Sequence, residues 1–318
     1  MNNKKIKISV VTACYNEEGG LQELYDRLMK VMQKLSGYDY EIIIADNYST
    51  DSSRNILRQI AAQDKKFKVI FNSNNFGVLR SLHNAFLQST GDLVVPMASD
   101  LQDPPEVIVD LIKQWEAGYR VVVAVKPKSK ENLLMSLVRK CYYKLLAQIS
   151  DSSEIIRDFT GFGLYDRKFM DALKKYHDPY PYFRGLVSEI GFKRAVVEYV
   201  QDTRKYGRTK NNFFTLYDVA MTGFVNHSKL PLRMATFFGF CLALISLLVA
   251  LGYLIYKLLF WQNFNAGVAP LVIGFFFLFS MQLIFIGIIG EYVGAILTQV
   301  KNHPLVIEDE KINFDYDG

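Results

Sequence analysis

Cysteine and histidine are both scarce in this sequence. Its three cysteines, Cys14, Cys141 and Cys241, lie far apart, and no two form a Cys-x-x-Cys pair. That number and spacing indicate neither a disulfide framework nor a zinc site, and they are typical of a soluble part in a reducing cytoplasm. The four histidines are scattered without the spacing of metal ligands. The sequence therefore predicts no metal site built on sulfur or imidazole.

Charge is almost absent from one long stretch, because Lys257 is the only charged residue between Met234 and Gly290. Two runs without any charge, 234–256 and 268–290, are each 23 residues long. At about 1.5 Å per residue, each can cross a hydrocarbon core of roughly 30 Å. The mean hydropathy of +0.07 is thus an average over an ordinary charged part and a membrane part. We predict two transmembrane helices; two buried core helices are the alternative.

The basic residues around these runs predict the orientation of an integral membrane protein. Lys229 and Arg233 precede the first run and Lys301 follows the second, whereas Lys257 stands alone between them. This bias places both termini and the soluble domain in the cytoplasm. A net charge of +5 without interleaved basic and aromatic runs excludes nucleic acid as a partner. The absence of ionisable groups within the runs argues against a transporter.

The first 125 residues alternate β-branched runs with amphipathic stretches. We predict strands at 6–13, 41–45, 68–71, 92–97 and 121–125, and helices at 21–35, 51–62, 79–88 and from Pro104-Pro105 to about residue 116. This order predicts the α/β class, with a parallel sheet covered by helices. Ligands of such sheets bind in loops at the carboxyl ends of the strands.

Basic amphipathic segments connect the soluble and apolar parts. Residues 126–144 carry six basic residues and one acidic residue beside an apolar stripe, which favours an interfacial helix on anionic lipid over a solvated surface helix. A second amphipathic stretch follows residue 210. The predicted organisation is a catalytic domain at 1–210, a juxtamembrane segment at 211–233, a membrane hairpin at 234–290 and a C-terminal tail at 291–318.

Two loops carry oxygen-bearing side chains at predicted strand ends. Asp46 opens the loop up to Asp51, and a carboxylate there can accept hydrogen bonds from a nucleotide's base or ribose; helix capping is the alternative for Ser49 and Asp51. The loop from Ala98 to Pro105 offers Asp100, Gln102 and Asp103. Alternation puts Asp100 and Gln102 on one side, which suits Mg²⁺ or Mn²⁺ on a diphosphate. Asp103 could instead cap the next helix.

The order of several short motifs gives the sequence a specific resemblance. It resembles the polyprenyl-phosphate glycosyltransferases of glycosyltransferase family 2, which include dolichyl-phosphate mannose synthase and bacterial undecaprenyl-phosphate sugar transferases. The motifs are Tyr15-Asn16-Glu17, residues 46–51, Asn75-Phe76-Gly77, residues 100–105, residues 182–185, residues 204–210 and Gly290-Glu291-Tyr292.

The resemblance implies a Rossmann-like GT-A domain and a role for individual residues. Asp100 and Gln102 would hold the metal, Asp100, Arg204 and Lys210 would act in catalysis, and Arg139 would bind the lipid phosphate. The nucleotide, uridine or guanosine diphosphate with UDP-sugar as the expected donor, would be held by Ala13, Tyr15, Glu17, Asp46 and Asn47. The resemblance further implies a homo-oligomer associated through the spans.

The implied reaction is an inverting, metal-assisted transfer of a sugar to a polyprenyl phosphate at the cytoplasmic membrane face. Asn47, Ala98 and Gly161 stand where the family pattern has acidic residues. A phosphate monoester has a second pKa of ~6, so it is largely dianionic at neutral pH and hardly needs a protein base. A non-catalytic nucleotide-sugar-binding scaffold is the alternative that these departures suggest. A processive polysaccharide synthase would be expected to have a Gln-x-x-Arg-Trp motif, which the sequence lacks.

Overall fold

The computed structural model describes residues 5–126, 156, 159–176, 178, 181–202, 230–260, 268–301 and 303–314. These residues belong to two compact units. The first contains the described residues up to 202 together with 303–314, and the second contains 230–301. Of the segments predicted to be amphipathic, 127–144 and 211–229 lie outside the described residues.

An eight-stranded mixed sheet forms the first unit, in the order β7-β5-β6-β4-β1-β2-β3-β8. Strands β1 to β4 are mutually parallel, whereas β6 runs antiparallel to β4 and β5, and β8 antiparallel to β3. The strands are β1 (Lys7–Cys14), β2 (Asp39–Asp46), β3 (Phe67–Asn72), β4 (Leu93–Pro96), β5 (Val121–Val125), β6 (Phe159–Asp166), β7 (Arg194–Glu198) and β8 (Glu308–Ile312).

Helices cover the sheet and bury both of its faces. Along β1, Val10 and Val11 belong to different hydrophobic clusters, because successive side chains of a strand point to opposite faces. This double burial explains the continuous apolar runs of the central strands. The helices of this unit are α1 (Leu21–Lys34), α2 (Ser53–Gln63), α3 (Val78–Leu87), α4 (Ile108–Glu116), α5 (Arg167–Leu173) and α6 (Phe183–Ile190). The α/β class is confirmed, and so are all five predicted strands, which correspond to β1 to β5.

Strand β8 lies within residues 291–318, the segment predicted to be a C-terminal tail. It pairs with β3, and Asn313 behind it donates hydrogen bonds to the carbonyl oxygens of Ala61 and Phe67 at 2.7 and 2.8 Å. Arg58 of α2 forms an ion pair with Glu310, with 2.7 Å between Nη2 and Oε2. Residues 303–314 are therefore an integral part of the sheet-containing unit.

Two long apolar helices, α7 (Leu230–Leu259) and α8 (Val268–Val300), form the second unit. Within them, Leu232–Val249 and Gly274–Val300 are long and apolar enough to cross a membrane. Only 6% of the first window and none of the second is buried, so their apolar side chains are not those of core helices in a soluble protein. Both predicted spans lie within these helices.

Candidate functional site

Polar loops follow β4, β1 and β2, which are adjacent parallel strands. The loops after β1 and β2 are joined directly: the backbone N–H of Asn16 donates to Ser49 Oγ at 2.9 Å, and that of Thr50 donates to Asn16 Oδ1 at 2.8 Å. The N–H of Glu17 donates to Ser53 Oγ at 3.0 Å. These contacts join the loops after β1 and β2 into one surface at the carboxyl edge of the sheet.

Each of these three loops contains a residue in the left-handed backbone region. The φ angles are +56° at Asn16, +68° at Tyr48 and +62° at Leu101; only one other non-glycine residue in the described part of the chain, Asn313, has a positive φ. Asparagine tolerates this conformation, but tyrosine and leucine are strained by roughly 1–2 kcal/mol. Such strain concentrates at ligand-binding loops, so it marks this edge as the candidate site.

Asp46 ends β2 and is fully buried. Its carboxylate accepts a hydrogen bond from the N–H of Ser49 at 3.1 Å and lies 3.4 Å from Nε of Arg54. Burial, together with the negative charge of Asp46, raises the pKa of the Cys14 thiol, which donates to Asp46 Oδ1 at 3.8 Å. The thiol therefore remains protonated at neutral pH. Arg54 was not identified from the sequence, because no motif in the loop extends to it.

Burial limits how the five predicted nucleotide-binding residues can meet a ligand. The buried ones are Ala13, Glu17, Asp46 and Asn47, whereas Tyr15 is half-buried. The side chain of Asn47 contacts the loop after β3 and is considered further below. Of these five side chains, Tyr15 is the most accessible, and a ligand that contacts any of the other four directly must displace part of the loops that cover them. The buried carboxylates organise the loops from beneath.

The acidic loop after β4 is held by Asp103. One oxygen of its buried carboxylate accepts from the N–H of Ala98 at 3.2 Å, and the other accepts from the hydroxyl of Tyr199 at 2.6 Å. Burial raises the pKa of both Asp103 and Tyr199. This contact replaces the helix-capping alternative for Asp103. Tyr199 was missed in the sequence because it lies 96 positions away and in no motif.

Asp100 and Gln102 are half-buried on the same loop. The backbone N–H of Gln102 donates to Asp100 Oδ1 at 3.1 Å, and Leu101 between them has a φ of +62°, so the chain turns here and is not the extended segment assumed in the sequence prediction. A carboxylate and a carboxamide are oxygen ligands of the kind that Mg²⁺ uses when a substrate phosphate completes its coordination. Among the described residues, no three His, Cys, Asp or Glu side chains group to hold a metal alone. The loop fits a metal shared with a bound diphosphate.

The departure at Gly161 has a structural cause in β6. Gly161 has a φ of +107°, which disfavours the aspartate of the family pattern. At Gly163, a Cβ would collide with the carbonyl oxygen of Val122 on β5. Glycine is therefore favoured at 161 by the backbone angle and at 163 by the close approach of β5.

Arg139, Arg204 and Lys210 lie outside the described residues. Residues 199–202, which precede Arg204 and Lys210 in the chain, do lie within the described part. Tyr199 contacts Asp103, and the N–H of Asp202 donates to the carbonyl oxygen of Gln102 at 3.2 Å. The segment that precedes Arg204 thus leaves β7 beside the acidic loop.

Comparisons with known proteins show the family of the chain. A family model described as Glycosyl transferase family 2 matches residues 9–173. The glycosyltransferase YkcC of Bacillus subtilis is 34% identical over 96% of this chain and 94% of its own. The SfII prophage-derived bactoprenol glucosyl transferase of Shigella flexneri is 33% identical over 95% of this chain and 97% of its own.

Among solved structures, glucosyl-3-phosphoglycerate synthase from Mycobacterium tuberculosis, in complex with Mg²⁺ and uridine diphosphate, shares the fold. It has a TM-score of 0.51 and 20% identity, covering 69% of this chain and 77% of the other. At this identity the likeness shows the fold alone, and it confirms the predicted GT-A architecture of the sheet-containing unit.

Proposed function

The chain belongs to glycosyl transferase family 2 and is a glycosyltransferase, and on this premise we propose that it transfers a sugar from a UDP-sugar to a polyprenyl phosphate. The observation that carries the proposal is the meeting of the loops after β4, β1 and β2 at one sheet edge. A full-length relative named as a bactoprenol glucosyl transferase supports the lipid acceptor.

The donor occupies the carboxyl edge of β1, β2 and β4 in this proposal. Asp46 and the loop up to Asp51 bind the nucleoside, and Asp100 and Gln102 face its diphosphate. Mg²⁺ or Mn²⁺, when bound there, neutralises negative charge on the diphosphate. Asp103 and Tyr199 hold Asp100 and Gln102 at this position, because their hydrogen bond fixes the loop to the end of β7.

The reaction proposed is a single inverting displacement. An oxygen of the lipid phosphate attacks the anomeric carbon, the bond from that carbon to the β-phosphate oxygen breaks, and the nucleoside diphosphate leaves with the electron pair. The attacking phosphate is already largely dianionic at neutral pH because its second pKa is ~6, so no protein carboxylate has to remove a proton. Arg204 and Lys210 stabilise charge on the leaving group, and Arg139 binds the acceptor phosphate.

The apolar helices bring the enzyme to its acceptor. The two windows in α7 and α8 are long and apolar enough to cross a membrane, and the flanking Lys229, Arg233 and Lys301 favour a cytoplasmic catalytic domain under the positive-inside rule. A water-soluble donor and a lipid-borne acceptor then meet at the cytoplasmic membrane face.

Transfer of labelled sugar into lipid tests the proposal. The full chain, in membranes or detergent, is incubated with polyprenyl phosphate, Mg²⁺ or Mn²⁺, and a panel of UDP- and GDP-sugars. We expect one UDP-sugar to label the lipid and the product to have the opposite anomeric configuration to the donor. Labelling from a GDP-sugar alone would overturn the donor assignment, and retained configuration would overturn the single displacement. No labelling with any donor would overturn the proposed function.

A further inference from the structure

Asn47 makes a dense set of contacts beneath the loop after β2. Its side chain has no exposed surface. Nδ2 of Asn47 donates to Asn75 Oδ1 at 2.7 Å, and Oδ1 of Asn47 accepts from the backbone N–H of Phe76 and from Ser81 Oγ, both at 2.9 Å. Both polar atoms of the amide are therefore engaged with the β3–α3 turn and the start of α3.

Two backbone donors fix the direction of this amide. A backbone N–H can only donate, so the N–H of Phe76 requires an oxygen of residue 47 to face it. The N–H of Gly77 likewise donates to Asn75 Oδ1 at 3.1 Å, so the atom of residue 47 that contacts this oxygen must be a donor. Asparagine satisfies both demands at once, with Oδ1 toward Phe76 and Nδ2 toward Asn75.

An ionised aspartate at position 47 would meet only one of these demands. It could accept from Phe76 and Ser81, but its second oxygen would face Asn75 Oδ1 across a distance that now holds a hydrogen bond of 2.7 Å. Two acceptors that face each other without a proton between them repel each other, and the buried oxygen of residue 47 is left without a donor on that side. The asparagine that departs from the family pattern thus matches the Asn75-Phe76-Gly77 turn of the same chain.

We propose that Asn47 is a positioning residue, whose amide holds the Asn75–Gly77 turn against the donor-binding loop after β2. This inference rests on the proposed function, and it replaces a direct nucleotide contact of the Asn47 side chain. The turn carries the half-buried Phe76 and leads to the exposed Val78 and Leu79. Its displacement would alter the wall of the donor site next to Asp46.

The test compares Asn47→Asp with Asn74→Asp, a matched control on the same turn. Asn74 is exposed, and its Oδ1 accepts from the N–H of Asn75 at 2.8 Å, which an aspartate does equally well. For Asn47→Asp we expect the donor KM to rise roughly tenfold or more, with a smaller change in kcat. We also expect faster hydrogen–deuterium exchange in the peptide containing Phe76 and Gly77. Asn74→Asp should change neither.

Ser81→Ala provides a second variant, in which alanine is favoured within α3 but the Asn72 side-chain amide also loses an acceptor. It removes one donor to Asn47, so its KM and exchange should shift in the same direction by less. A donor KM that stays unchanged or falls in Asn47→Asp would overturn the proposal, whatever the exchange rates, and equal exchange in Asn47→Asp and Asn74→Asp would do the same. The exchange contrast needs no sugar transfer, so a wild-type protein without transferase activity would count against the proposed function alone.

Discussion

Two buried carboxylates lie five residues apart on β2 and have very different surroundings. Glu41, near the amino end, is 1% exposed and accepts from Ser9 Oγ at 2.6 Å and from the N–H of Thr90 at 2.8 Å. It also forms ion pairs of 2.9 Å with Lys7 and Lys68. Burial alone would raise its pKa, but these partners lower the pKa of Glu41 to about 2.

Asp46, at the carboxyl end of the same strand, has fewer partners and they are more distant. Ser49 donates at 3.1 Å, Arg54 lies at 3.4 Å and the Cys14 thiol at 3.8 Å. Burial therefore does not separate structural carboxylates from functional ones. The two carboxylates differ in the number and length of their contacts and in the end of the strand at which they lie: Glu41 has the partners of a structural residue, and Asp46 is the one that we propose binds the donor.

The largest effect is expected at Asp100, which extends the comparison to a half-buried carboxylate on the acidic loop. Asp100→Ala removes the group that we propose faces the diphosphate, so transfer of sugar into lipid should fall by about 100-fold or more, while the thermal midpoint changes little. Asp110→Ala, an exposed carboxylate on α4, is the control and should keep full activity. Unchanged transfer in Asp100→Ala would refute its role.

Asp46→Asn should have the next largest effect, on donor binding. The amide keeps the size of the side chain but loses the charge, and hydrogen bonds to charged groups contribute about 1.5–3 kcal/mol. The donor KM should therefore rise by roughly 10- to 100-fold, with the KM for polyprenyl phosphate unchanged. Equal changes in both KM values would instead indicate a general loss of the fold.

Glu41→Gln should show the opposite pattern, in which stability falls and catalysis persists. Lys7 and Lys68 lose their common counter-ion, and because both are partly solvent-exposed we expect the free energy of unfolding to fall by about 2–3 kcal/mol, below the range for a fully buried pair. Both KM values should remain those of the wild type at a temperature where the variant is folded. A raised donor KM would show that Glu41, like Asp46, affects donor binding, which contradicts the different roles expected at the two ends of β2.

The stabilisation by Glu41 should also depend on pH. Its pKa in the folded protein, about 2, is below the value of about 4.3 in an unfolded chain. The contribution is therefore complete above that unfolded value and is lost as pH falls from about 4.3 toward 2. The difference in urea midpoint between wild type and Glu41→Gln should shrink over this range, and a constant difference would contradict the assignment.

The smallest effect is expected at Asp309 on β8. Arg54 lies between Asp46 and Asp309, at 3.4 and 3.5 Å, and Asp309 is 59% exposed. In Asp309→Asn, Arg54 keeps Asp46 as its partner and loses the ion pair with Asp309. An exposed ion pair contributes about 0–1 kcal/mol, so the donor KM should rise by no more than a few-fold. Glu310→Gln, which affects Arg58 instead, should leave it unchanged. A loss as large as that of Asp46→Asn would show that β8 takes part in donor binding directly.

The features that depend on residues close together in the chain could be predicted from the sequence. Apolar runs gave the central strands, and their carboxyl ends gave the loops with Asp46 and Asp100. It could not predict β8, because Glu-Asp-Glu-Lys-Ile has no strand-like pattern and becomes a strand only through pairing with β3. The contact of Asp103 with Tyr199 likewise depends on folding that joins residues 96 positions apart.

The pairing of β8 with β3 also has a consequence for the order in which the protein is made. Residues 308–312 are translated after both apolar helices, so one edge of β3 has no partner strand until β8 has been made. Open strand edges invite pairing with other chains. Synthesis therefore leaves the nascent sheet with an unpaired edge throughout the interval in which the apolar helices are translated, and β8 closes that edge afterwards.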